Sequence, residues 1–231
     1  MNRLLLVFII FGMNIFVFSQ DSINFTDALG RRQGVWKKVD KDGHKKYDGQ
    51  FKDGIPVGEF RYYYADGKLK TVSLMSGEGK TARTVSYASN GRKIAEGKYT
   101  NEKKDSIWRY FSELDGVLLS EENFITGTRS GVFKTFYPNG NVTEVIHFRE
   151  GRKDGEWVQY FDDGKLKFKG TYVNDEKEGP FAGYFHNGKI SFSGAYKTGH
   201  MDGPWTFYEE NGEVMRTDKY SEGAVVKEKN Q

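Results

Sequence analysis

The chain has 231 residues, with 35 basic and 32 acidic side chains, so its near-balanced charge gives no reason to expect nucleic acid as the main partner. It has no cysteine, which excludes a disulfide framework and a lipid-modified cysteine anchor. With 28 glycines, four prolines and 16% aromatic residues, the composition suits short strands joined by glycine turns better than helices.

The first element is a leader. Arg3 precedes an apolar run from Leu4 to Phe18, broken only by Gly12 and Asn14. Val17-Phe18-Ser19 resembles a small-residue cleavage site, so residues 1–19 read as a secretory signal peptide and the mature chain starts at Gln20. The run is short for a membrane span, which needs about 20 residues. The expectation is an exported protein of the periplasm, envelope or medium, not a lipoprotein. Residues 20–33 form an N-terminal segment or cap, 34–226 a repeat array and 227–231 a short tail.

The array has a 24-residue period. Gly34, Gly58, Ala82, Ser106, Gly131, Gly155, Gly179 and Gly203 open eight units, with one residue inserted in the fourth. Two positions on stand Trp36, Phe60, Thr84, Trp108, Phe133, Trp157, Phe181 and Trp205. Five positions after the opening residue stand Val39, Tyr63, Tyr87, Phe111, Phe136, Tyr160, Tyr184 and Tyr208. A turn glycine preceded by Asp or Asn follows in every unit: Gly43, Gly67, Gly91, Gly116, Gly140, Gly164, Gly188 and Gly212. The last slot holds Phe51, Met75, Tyr99, Phe124, Phe148, Tyr172, Tyr196 and Tyr220. The third unit is the weakest, with Ala82 and Thr84 in two anchor slots. Four slots in phase over eight units define repeats, each one supersecondary unit.

The pattern G-x-W-x-x-Y-x-x-N-G, with an aromatic eight residues on, resembles the bacterial variant of the MORN repeat. The likeness covers nearly the whole mature chain. It implies a binding or scaffold protein, and bacterial relatives labelled antitoxin-like imply capture of a toxin domain.

Asp-Gly or Asn-Gly between strand-like runs signals a hairpin, and a two-residue type I′ loop places both residues at positive φ. With Asp163-Gly164 as that loop, Phe161 meets Leu166, Tyr160 meets Lys167, Gln159 meets Phe168 and Trp157 meets Gly170. The same count sets Tyr63 opposite Lys70, Trp36 opposite Gly49 and Phe181 opposite Gly194. A ring covering the glycine across from it would pin the sheet. In the fourth unit Trp108 would meet Asn123, which predicts a bulge. The fold class is all-β: an elongated, twisted antiparallel meander of eight hairpins and about sixteen strands, roughly 75 Å long at 4.8 Å per strand. A β-solenoid is the alternative. Trp36, Trp108, Trp157, Trp205, Gly164, Gly188 and Gly212 are its structural anchors.

Candidate chemistry is sparse. GEGKT (77–81) ends like a phosphate-binding loop, but Leu74 stands where the motif requires glycine, and neither a preceding strand nor a following helix is predicted. His44, His147, His186 and His200 make no i, i+4 pair, and turn carboxylates such as Asp162, Asp163, Glu209 and Glu210 are ordinary hairpin chemistry. The expectation is a non-enzymatic protein without catalytic residues, metal or cofactor. Its candidate binding surface is the row Tyr63, Tyr87, Phe111, Phe136, Tyr160, Tyr184 and Tyr208, with Lys167 and Lys169. The leading reading is a protein-binding scaffold or neutraliser. The second is attachment to lipid head groups or anionic glycans through KLKFK (165–169), each lysine worth roughly 1 kcal/mol at an anionic surface.

Overall fold

The computed structural model describes residues 23–226; the leader expected at 1–19 and the tail at 227–231 lie outside the described residues. Every regular element is a β-strand, and the strands, β1 to β19 in chain order, pair in succession into one open antiparallel sheet. Each unit supplies one hairpin, as the Asp-Gly and Asn-Gly steps predict. The first strand of the seventh hairpin is divided into β14 (Glu176–Lys177) and β15 (Gly179–Tyr184). Two short strands, β1 (Phe25–Thr26) and β19 (Ala224–Val225), are added at the two ends.

The chain reverses at the predicted glycines, but through a different turn. Gly164 N–H donates to Phe161 O at 3.0 Å, and Phe161 N–H to Lys165 O at 2.8 Å. Asp162, Asp163 and Gly164 therefore make a three-residue loop, with positive φ at the glycine alone. In seven of the eight loops the Asp or Asn before the glycine braces the turn through its side chain, which accepts the N–H two residues on, as Asp163 Oδ1 does from Lys165 at 3.1 Å. Positive φ at both central residues occurs instead in the links at the other edge. Glu150 and Gly151, at φ 51° and 86°, join the paired residues Arg149 and Arg152. Thr126-Gly127 and Thr198-Gly199 repeat this geometry. The link Gly77–Lys80, from the GEGKT stretch, is a four-residue turn between Ser76 and Thr81.

The longer loop changes the register beside it. Gln159 pairs with Phe168 and Trp157 with Gly170, as predicted, but Tyr160 pairs with Leu166 and Lys167 is the extra residue of a bulge. Likewise Tyr63 pairs with Leu69, leaving Lys70 in the bulge. The expected pairs Phe161–Leu166, Tyr160–Lys167 and Tyr63–Lys70 are thus corrected. In the fourth unit Trp108 pairs with Glu122, not Asn123. The inserted residue is absorbed by the loop, where Gly116 N–H reaches Ser112 O at 2.8 Å, and the strands keep their register. Lengthening a loop adds little closure entropy, whereas a strand bulge interrupts the ladder.

One face of the sheet carries the core. Phe60, Trp108, Phe124, Ile146, Trp157, Phe181 and Trp205 are buried there, Trp205 to 2% exposure. Each buried ring contributes about 1.5–3 kcal/mol. The glycines opposite the anchors are covered, but by the ring of the following unit. A Cβ on Gly170 would lie 2.7 Å from Phe181 Cδ2, against 3.6 Å from Trp157; Gly49, Gly97 and Gly194 are filled in the same way by Phe60, Trp108 and Trp205. Between units the ladder opens at the repeat-opening glycine, so one residue faces three: Gly49 lies against Gly58, Glu59 and Phe60. The opening frees a carbonyl for the indole. Trp108 Nε1 donates to Lys98 O at 3.0 Å, and Trp205 Nε1 to Ala195 O at 3.1 Å. The glycine is therefore a socket that joins one repeat to the next.

Candidate functional site

The two faces differ in chemistry. On the core face, the residue two before the repeat-opening position is a cation in six units, and in five of them it roofs the rings. Arg32 lies 4.8 Å from the Trp36 ring centre, Lys104 4.8 Å from Trp108, and Arg129 5.9 Å from Phe133. Lys153 lies 5.0 Å from Tyr172, and Lys177 stands 4.9–5.4 Å from Trp157, Phe181 and Tyr196. Burial, with Lys153 nearby, lowers the Lys177 pKa. Such contacts contribute about 0.5–1 kcal/mol where exposed and more where desolvated. Sequence reasoning missed these cations as a slot, although the 24-residue step that exposes the aromatics also exposes them.

On the other face, charges alternate across the strands. Arg109 meets Glu121 at 2.7 Å and Glu96 at 3.9 Å, and Lys169 meets Glu156 at 2.8 Å. The Lys169 pair raises the lysine pKa and lowers that of Glu156, the mutual hydrogen bond being the main cause in both. The row Tyr63, Tyr87, Phe111, Phe136, Tyr160, Tyr184 and Tyr208 runs along the margin beside the three-residue loops, every ring half-buried. Its cross-strand neighbours are mostly aliphatic: Leu69, Leu118, Val142, Leu166, Ile190 and Val214, with Lys93 beside Tyr87. Lys45 lies 4.2 Å over Tyr63, and Lys93 4.1 Å over Phe111. Tyr63 hydroxyl also donates to Asp48 at 2.7 Å, and Lys45 pairs with the same carboxylate. Burial pushes the Asp48 pKa up, but Lys45 and Tyr63 outweigh it and hold the carboxyl below its ordinary value.

The three lysines of KLKFK have separate partners. Lys165 reaches Asp163 at 3.0 Å, Lys167 stands 5.7 Å from the Phe161 ring and 5.4 Å from Phe168, and Lys169 takes Glu156. A second ring row, one residue beyond the first, ties successive loops together. Tyr64 hydroxyl donates to Tyr87 O at 2.7 Å, and Tyr137 to Tyr160 O at 2.9 Å. Loop side chains do the same: Asn139 Nδ2 reaches Asp162 O at 2.7 Å and Asn187 Nδ2 reaches Glu210 O at 3.2 Å.

Two groups have a donor set a metal could use, Asp40–Asp42–His44 and Asp162–Asp163–His186, with ligand atoms within 4.8 Å of one another. Both are loop groups already engaged: Asp40 Oδ1 accepts Asp42 N–H and His44 N–H at 2.9 Å, and Lys165 Nζ stands 3.5 Å from His186 Nδ1. His147 Nδ1 is 2.9 Å from Glu156 O, in the sheet.

Comparison with known proteins bears on the repeat. The MORN repeat variant matches residues 56–74, 129–150, 153–174 and 201–222, all in phase with the 24-residue period. No curated protein matches the chain in sequence. Among solved structures, a porin-like protein from Bacteroides uniformis is similar at 12% identity and TM-score 0.21, over 83% of this chain and 91% of that one. The TcdB2–TccC3 structure is similar at 10% identity and TM-score 0.20, over 87% of this chain but 15% of that one. Superpositions this loose carry no argument about function. The in-phase matches and the eight hairpins together make the array a repeat scaffold, four segments of which match the MORN repeat variant.

Proposed function

We propose that the chain is an exported, non-enzymatic scaffold that holds a protein partner along the margin bearing Tyr63 to Tyr208. The observation that carries this reading is the row itself: seven half-buried rings recur at the same place in successive hairpins, beside a face that carries ion pairs and aliphatic side chains such as Val158. Rings repeated every second strand, roughly 10 Å apart, offer several equivalent points of attachment. An aromatic row of that extent suits a partner surface, since rings add large contact area at low entropic cost. In its finer form the partner is a toxin domain, which the scaffold neutralises outside the cytosol. The lipid or anionic-glycan reading ranks second, because Lys165 and Lys169 each have a carboxylate neighbour.

A Tyr160→Ala/Tyr184→Ala variant tests the proposal. Expected is a thermal melt close to the parent and loss of the protein cross-linked to the chain in the native envelope fraction. Anionic vesicles in a salt series provide the counter-test. Salt-sensitive vesicle binding that the double variant leaves intact, with no cross-linked protein, would sink the protein-partner reading.

A further inference from the structure

The third unit breaks the core face where every neighbouring unit continues it. The anchor slot holds Thr84, and the socket slot that its ring would fill holds Ser73. The two are paired across β5 (Leu69–Ser76) and β6 (Thr81–Tyr87), and their hydroxyls lie 2.9 Å apart, with the residues 7% and 6% exposed. Thr71 and Ser86 form the next pair, their hydroxyls 3.5 Å apart. The ladder runs through this link without the bulge found between other units, because Ala82 is not at positive φ. What the missing ring leaves is a cavity of about 420 Å³. The hydroxyls of both pairs line it beside Met75 and Ala82, the strand register sets Tyr62 and Tyr99 at opposite corners, and Lys80 and Glu102 also line it.

The lining decides what fits. Within the Ser73–Thr84 pair one hydroxyl donates and the other keeps a proton to give. An apolar ring laid there would cut that donor off from water, at a cost of about 1–3 kcal/mol. A polyhydroxylated ring would satisfy it, and its C–H faces match tyrosine rings. Lys80 and Glu102 bring opposite charges to the lining, so neither ionic sign is selected. Tyr62 on β4 (Ile55–Tyr63) and Tyr99 on β7 (Lys93–Thr100) are three strands apart and offset by four residues along them, roughly 19 Å between backbones, which calls for more than one sugar ring. The volume falls within the roughly 300–1,000 Å³ usual for small-ligand sites.

We propose that this notch binds a neutral oligosaccharide lying across β5 and β6, with its ring faces against Tyr62 and Tyr99 and its hydroxyls on Ser73 and Thr84. The site lies on the face opposite the Tyr63–Tyr208 row, so the two readings fail independently.

The test is amide NMR and calorimetric titration of the full chain with maltotriose, chitotriose and mannotriose, and with N-acetyltryptophanamide as the indole probe. Expected is binding of at least one trisaccharide, with shifts concentrated at Ser73, Thr84 and Tyr99. Ser73→Gly/Thr84→Trp rebuilds the glycine socket and ring of the neighbouring units, and should weaken binding by more than about tenfold while preserving the melt. Tyr99→Ala should weaken the same trisaccharide by about tenfold, and Tyr99→Phe should largely retain it. Binding of none of the trisaccharides, binding of the indole probe alone, or undiminished binding by either Ser73→Gly/Thr84→Trp or Tyr99→Ala would overturn the proposal.

Discussion

Gly170 shows how one residue joins two repeats. It lies opposite Trp157 in its own hairpin, yet the space above it is taken by Phe181 of the next. A methyl group there meets the ring at 2.7 Å, so Gly170→Ala should destabilise the protein by about 1–3 kcal/mol in chemical denaturation. Phe181→Ala alone should cost about 3–5 kcal/mol through loss of a buried ring. Combining them removes the collision, so the double variant should be more stable than the sum of the singles implies. Strict additivity would show that the glycine is there for backbone reasons only. The socket was half legible in the sequence. Counting from the turn located Gly170 against Trp157, but counting within one hairpin cannot reveal which neighbouring strand leans over the gap. Ser73 and Thr84 complete the argument at this scale: where the ring is lost, the glycine is lost with it, and a buried hydroxyl pair replaces both.

The hairpins reverse by two kinds of turn, and their chemistry predicts where strain resides. Links such as Thr126-Gly127 and Thr198-Gly199 place a β-branched residue at φ 51° and 48°. That region is unfavourable for β-branched side chains and tolerated by Asn. Thr198→Asn should therefore raise stability by about 0.5–1 kcal/mol, read as a higher denaturant midpoint with an unchanged slope. A lowered midpoint would mean that the threonine side chain has a role of its own. The positions of the reversals were legible because glycine after Asp or Asn recurs in every unit. Their class was not, since Asp-Gly serves both as a type I′ pair and as the end of a longer loop. The resulting slip moved Tyr160 from Lys167 to Leu166 but left Trp157–Gly170 in place, because the bulge absorbs it. The N-terminal element adds a pH-dependent contact. Asp27 accepts the N–H groups of Leu29 and Arg31 at 2.9 Å and a bond from Gln33 at 3.0 Å. Its pKa falls from 3.8 to about 2, the Arg31 backbone bond being the chief cause. A depressed carboxyl contributes fully above its unfolded value and ceases to contribute as pH falls through the folded one. Protection of the Leu29 and Arg31 amides should therefore persist below pH 3.8 and fade near pH 2 in hydrogen-exchange NMR. Loss centred near pH 4 would show that the turn does not depend on the ionised side chain.

The core-face pattern breaks at the last long strand among the described residues. In β18 (Val214–Ser221) the slots that hold Phe192 and Gly194 one unit earlier hold Arg216 and Asp218. These pair with each other at 2.9 Å, and the guanidinium lies 4.3 Å over the Phe207 ring. The socket for a following ring is thus filled by a carboxylate, and the core face ends in an ion pair. Beyond it β19 covers Tyr220 and Ser221, with one further bond from Val226 N–H to Lys219 O, so among the described residues the edge from Val214 to Asp218 has no strand beside it. Uncovered strand edges recruit other strands unless charge or shape prevents it, and terminal repeats need a polar outer face. Arg216→Phe/Asp218→Gly restores the internal pattern and should convert this end into an open socket. The folded double variant should self-associate in sedimentation velocity as its concentration rises, while the parent remains at a single sedimentation coefficient. Association should resist salt, because the new contact is apolar backbone and ring rather than ion pair. If the double variant sediments like the parent at every concentration, the ion pair is not what ends the sheet, and the short strand β19 carries that role alone.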